Sequence, residues 1–109
     1  MTRMLTDEEI QVESIHICEL TGLYFRTYLL KEVGMQVPQH AHNYAHNTIV
    51  CTGRARGFRC GEPMGERGSG EVFVVEAGTP HLFEALEPMT RLMCVHSTAS
   101  AESIQRKGV

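Results

Sequence analysis

Three of the six histidines in this chain, His40, His42 and His46, fall within seven consecutive residues. His40 and His42 are two positions apart, so on a strand their rings leave the same face. Asn43, Tyr44 and Ala45 then give a gap that one bend can close, bringing His46 back beside them. Imidazole is the commonest side-chain ligand for transition metals, and chelation needs several rings converging on one point. One histidine would be unremarkable in a surface loop. Three at this spacing read as the first half of a metal site.

The elements that must carry these rings are short strands. Segments 14–20, 23–33, 37–42, 46–52, 55–60, 72–75, 81–86 and 89–97 are rich in β-branched, aromatic and aliphatic residues. Pro38 marks its strand as an edge or a strand start. Thr21-Gly22, Gly53-Arg54, 77–80 and Glu87-Pro88 are turns. Segment 61–70, with four glycines and a proline, reads as a loop. Thr6-Asp7-Glu8-Glu9 fits a capping box or an acidic arm, and 99–109 is a small polar tail, frayed or a short helix. No helical period of useful length is present, and close Gly/Pro punctuation points to an all-β sandwich or barrel.

The 109 residues suit one domain, 1–109, with the barrel core at about 14–97 and peripheral ends at 1–13 and 98–109. The formal charge is −3, and the densest basic cluster is only Arg54, Arg56 and Arg59. That excludes the concentrated basic footprint of a nucleic-acid binder and gives no anchor for an anionic membrane. The first twenty residues carry Asp7, Glu8, Glu9, Glu13 and Glu19, not the basic start and apolar middle of a signal peptide. No apolar run approaches membrane-spanning length. A cytoplasmic protein is expected, with Cys18, Cys51, Cys60 and Cys94 reduced and no C-x-x-C zinc knuckle.

Taken together, the two histidine-bearing segments resemble the cupins. The first cupin motif is G-x5-H-x-H-x3-E-x6-G, and this chain has Gly34, His40, His42, His46 and Gly53 at those intervals. His46 stands where most of the family has Glu. The second motif is G-x5-P-x-G-x2-H-x3-N, matched in spacing by Gly70, Glu76, Ala77, Gly78 and His81. Glu76 replaces the Pro and Ala85 the Asn. The motifs cover about half the chain, and the short spacer between them is like that of small microbial cupins.

The resemblance implies a cupin-type double-stranded β-helix, a jelly-roll barrel of two antiparallel sheets. It also implies four ligands, His40, His42, His46 and His81, holding one divalent transition metal ion per chain: Fe, Mn, Ni, Zn, Co or Cu. Four neutral imidazoles leave the full charge of such an ion uncompensated, which favours an anionic ligand. Function is then expected to be that of a metal-dependent oxygenase, of the dioxygenase type, acting on a small organic substrate. A metal-dependent isomerase or lyase, and a non-catalytic module that senses or stores a small ligand or metal, are the alternatives. By the same resemblance Phe25, Thr27, Leu29, Phe83, Leu92 and Cys94 line the pocket. His96 shares the Leu92 and Cys94 face, as a proton donor near the metal or a solvated strand end, and Cys94 is a thiol near the metal or an apolar filler. If the 23–33 strand is turned the other way, Arg26 and Tyr28 enter the pocket and a carboxylate becomes a ligand. Segment 72–75 is apolar on both faces, and Ile49 and Cys51 add to the excess. Cover by a second subunit follows, as a homodimer, which cupins commonly form.

Overall fold

The structure, a computed structural model, describes residues 12–98. The acidic segment at 6–9 and the tail at 99–109 lie outside the described residues. Nine strands follow in order: β1 Ser14–Cys18, β2 Leu23–Leu30, β3 Gln36–His40, β4 His46–Thr52, β5 Arg54–Arg59, β6 Glu62–Gly68, β7 Val72–Val75, β8 His81–Ala85 and β9 Thr90–Ser97. They make a five-stranded sheet, β1-β2-β9-β4-β7, and a four-stranded sheet, β3-β8-β5-β6. Every strand pairing among the described residues is antiparallel. β3 is an edge strand, consistent with Pro38, whose missing N–H would break a central ladder.

Segment 61–70 is not a loop. Residues 62–68 pair with β5 as the outermost strand, with a register shift between Gly57 and Phe58. An edge strand needs ladder bonds on one side only, so glycines and a leading Pro63 are tolerated there. Val12 and Glu13 precede β1 and lie against the barrel. Val12 packs on the core, and the Glu13 carboxylate accepts two hydrogen bonds from Arg91, at 2.9 and 2.8 Å.

The core lies between the sheets and is built by alternation. In β9, Thr90, Leu92, Cys94 and His96 are buried, while the residues between them are not. In β8 His81, Phe83 and Ala85 are buried, and in β4 His46, Thr48 and Val50 are. Thr52, which continues that parity, is exposed instead, because the register shifts between Val50 and Thr52. Phe73 and Phe83 meet at 5.0 Å between ring centroids and fill the middle.

Gly53 closes β4 onto β5 against Thr90. A Cβ there would meet the Thr90 Oγ1 and lie 2.8 Å from its Cα, and Gly53 has φ +79°. Only glycine fits both conditions. Among the described residues no helix is long and apolar enough to cross a membrane, and Cys18, Cys51, Cys60 and Cys94 are in no disulfide.

Candidate metal centre

His40 ends β3 and His81 begins β8, and the two are direct cross-strand partners. Their rings sit 4.2 Å apart between centroids. His42 lies in the following loop, its ring 4.7 Å from His40 and 5.2 Å from His81. One ligand atom from each of these three residues lies within 4.8 Å of the other two. Donors on an ion with nitrogen bonds of about 2.0–2.1 Å stand roughly 3–4 Å apart, so a small ring rotation inward completes the approach. His46, the first residue of β4, brings a fourth ring 5.0 Å from His42 and 5.1 Å from His81. Four rings from two sheets thus meet at one end of the barrel.

Local backbone structure holds them there. The loop after β7 reaches across, and the Gly78 N–H donates to the His42 carbonyl at 2.6 Å. Gly78 does so at φ +73°, a conformation glycine adopts without strain. This hydrogen bond ties the second histidine segment to the first. The His40 Nδ1 lies 2.8 Å from the Pro38 carbonyl, and the His81 Nδ1 lies 2.8 Å from the Thr79 carbonyl. A carbonyl can only accept, so each Nδ1 carries the proton. The Nε2 lone pair of each ring then faces the interior, the tautomer a metal ligand requires.

His46 is different. Only 4% of it is exposed, and both its ring nitrogens are buried with no hydrogen-bond partner. Burying unmatched polar atoms costs about 1–3 kcal/mol each, which a ligand on those atoms would offset. Burial, and then the neighbouring His81, His42, His40 and His96, push its pKa down to about 2. The ring is neutral across the physiological range, which leaves a nitrogen free of protons. The donor set, its convergence and these two nitrogens fit a divalent transition metal.

An aromatic column leads away from the histidines. The Tyr44 ring stacks on His42 at 4.6 Å and lies 4.2 Å from His96. His96 stacks on Tyr24 at 4.7 Å. His96 is therefore a buried ring inside this column, and not a solvated strand end. Its Nδ1 lies 3.0 Å from the Ser97 carbonyl. Cys94 is buried beside Thr48, with Sγ to Oγ1 at 3.2 Å, and Leu92 and Phe83 are buried deeper in the barrel. His16 is exposed on β1, away from the cluster.

The expected parity of β2 needs correction. Tyr24, Arg26 and Tyr28 are the register partners of His96, Cys94 and Leu92, so they share the inward face. Phe25, Thr27 and Leu29 pair with Val95, Met93 and Arg91 on the outer face and do not line the site. The Arg26 Nη2 donates to the Tyr24 hydroxyl at 3.3 Å. Sequence reasoning also passed over Tyr44. Its signal was an aromatic residue between two ligand positions, where a bare bend would need none. A separate cleft of about 580 Å³ opens beside β2 and β3, lined by Val12, Tyr28, Leu30 and Val37 among others. None of its lining residues is a histidine, so it is not this centre.

No family model matches the sequence, and no curated protein does either. Solved structures do match the fold. A cupin 2 conserved barrel domain protein from Salinispora arenicola superposes with a TM-score of 0.65 at 15% identity, over 98% of this chain and 97% of its own. A Streptococcus pyogenes protein of unknown function gives a TM-score of 0.59 at 22% identity, over 70% of this chain and 65% of that one. Oxalate decarboxylase of Bacillus subtilis, a protein with Mn(II) centres, gives 0.61 at 25% identity, over 70% of this chain but only 21% of its own. The architecture of this chain is thus the cupin fold, an all-β barrel of two antiparallel sheets with a histidine cluster that could hold a metal ion.

Proposed function

We propose that the chain is a metal-dependent enzyme in which His40, His42, His46 and His81 hold one divalent transition metal ion, and that it acts as an oxygenase on a small organic molecule. The observation that carries this reading is His46: a buried neutral ring with both nitrogens lacking a partner, set among three other histidines. When bound, the ion supplies Lewis acidity and, for Fe or Mn, redox chemistry toward dioxygen. The protein supplies the rest. The Pro38 and Thr79 carbonyls fix the rings of His40 and His81. Tyr44 packs flat on His42 and restrains its ring. The buried Phe83 ring lies 5.8 Å from His81 between ring centroids, on the inner side of the cluster. Among the described residues the buried polar side chains are histidines and threonines, so no buried carboxylate there neutralises the ion.

A metal-dependent lyase is the second reading, supported by the 25% identity to the decarboxylase over 70% of this chain. A binding module without turnover is the third. They separate in one experiment. Protein reconstituted with Fe(II) or Mn(II) is screened for oxygen uptake and substrate loss over dicarbonyls, thiols, phenols, alkenes and small acids. Oxygen consumed with substrate supports the oxygenase, and substrate loss without oxygen supports the lyase. Tight binding without change supports the module. A protein that takes up no metal refutes all three.

We also propose an isologous homodimer through the outer face of the five-stranded sheet. Val72 and Val74 are 39% and 63% exposed there, and Ile49 and Met93 continue the apolar row.

A further inference from the structure

His40 and His81 stand on paired strands, and a backbone carbonyl fixes each ring through its Nδ1. His42 has a different setting. It follows the end of β3, in the segment 41–45 that bends toward β4. The Gly78 N–H ties its backbone, but a backbone tie leaves the side-chain rotamer to the groups around the ring. Tyr44 stacks on that ring, at 4.6 Å between centroids and 21° between planes. Tyr44 belongs to the same bend, so on its own it would move with His42. A ring held only by its loop neighbour needs an anchor elsewhere.

The anchor stands on the five-stranded sheet. Tyr44 meets His96 at 4.2 Å and 43°. His96 is 8% exposed and belongs to β9, the middle strand of that sheet. Its Nδ1 donates to the Ser97 carbonyl at 3.0 Å, which limits rotation of the ring. The ring also stacks on Tyr24, its register partner on β2, at 4.7 Å and 21°. Aromatic pairs attract from centroid distances of roughly 4.5 Å upward, so all three contacts are close ones. A phenylalanine at 96 would keep the stack but lose the hydrogen bond. We infer that His96, braced by Tyr24, is a positioning residue that fixes the His42 ring through Tyr44 and so sets how tightly the centre grips its ion. The consequence for the ion rests on the metal reading, whereas the ring geometry does not. His96 is also one of the rings that lower the His46 pKa, so a direct action on His46 is the rival route.

A double-variant cycle separates the two routes. Mn(II) affinity is read by chelator competition, and ring geometry by NMR of metal-free protein labelled in its histidines. In wild type the ring current of Tyr44 should move the His42 ring-proton resonances upfield. Tyr44→Leu should remove that displacement and lower Mn(II) affinity by roughly 10-fold or more, as for other groups that orient a ligand. His96→Leu should remove part of the displacement and cost roughly 2- to 10-fold, the worth of an aromatic contact. The double variant should bind as Tyr44→Leu does, because His96 acts through Tyr44. Tyr44→Phe and His96→Phe keep the rings and should recover most of the affinity. Additive losses in the double variant overturn the inference in favour of the direct route to His46. Unmoved His42 resonances in His96→Leu overturn it as well. If His96→Leu does not fold, Tyr24→Leu tests the column one ring further out, and unmoved His42 resonances there overturn it. A wild type that takes up no metal overturns the metal reading alone, and the His42 resonances then decide the column.

Discussion

Replacing His46 with leucine while lowering the pH separates the two costs that the metal-free protein bears at this residue. An unfolded histidine titrates near 6.5, whereas folded His46 titrates at about 2. Its folded pKa is depressed, so the unfolded state binds more protons as the pH falls through 6.5. Stability is full above that value and declines toward the folded pKa. At about 1.36 kcal/mol per pH unit, the fall to pH 5 removes roughly 2 kcal/mol that is present well above 6.5. Leucine has no proton to gain, and it removes two buried nitrogens that have no partner. His46→Leu in chelator should therefore match or exceed wild type at pH 7, by up to about 1–3 kcal/mol. The gap should widen by about 2 kcal/mol at pH 5. Urea melts at both pH values, with chelator present, measure this directly. In excess metal the order should reverse, because wild type gains binding energy that the variant cannot. If the two metal-free proteins lose stability in parallel between pH 7 and pH 5, His46 is not a buried neutral ring and the ligand argument built on it fails.

Three further outcomes follow. His46→Ala should lower metal affinity by more than the roughly 10- to 100-fold typical of losing a partner behind a ligand. His46→Glu should retain metal and exposed His16→Ala should be unaffected, all measured by elemental analysis and chelator competition. Val74→Lys places a charge at a 63% exposed apolar position on the outer sheet face. It should convert a dimer to a monomer in sedimentation velocity, and a wild type that is already monomeric at micromolar concentration refutes that interface. Gly53→Ala forces a Cβ to within 2.8 Å of the Thr90 backbone at positive φ. It should cost at least about 2 kcal/mol in urea unfolding, and a neutral result would mean that β4, β5 and Thr90 are not packed this closely.

Local signals carried much of the fold. β4 and β7 match their expected spans at both ends, because each is a dense run of β-branched or aromatic residues between turn residues. β6 was hidden because its pairing is not local chemistry. Its sequence, EPMGERG, has turn composition and forms a strand only because β5 presents an open edge. The approach of His40, His42 and His46 was legible from their closeness in sequence, although His42 follows the end of β3 and does not continue the strand, and His81 came only from the resemblance to the cupins. The column through Tyr44, His96 and Tyr24 was not, because it joins a loop to two strands that are remote in sequence.

The face of β2 failed for a more informative reason. One face carries Phe25, Thr27 and Leu29, and the other Tyr24, Arg26 and Tyr28. The resemblance to small four-histidine cupins selects the first set. The structure turns the second set inward, where Tyr24 stacks on His96 and Arg26 reaches the Tyr24 hydroxyl. The register sets Thr27 beside the apolar Met93, Ile49 and Val72 on the outer face and Arg26 on the inner one. On the inner face Arg26 meets a hydroxyl and an aromatic ring. A charged residue in a strand of aromatic and aliphatic neighbours thus turns to the face that offers it polar and aromatic partners.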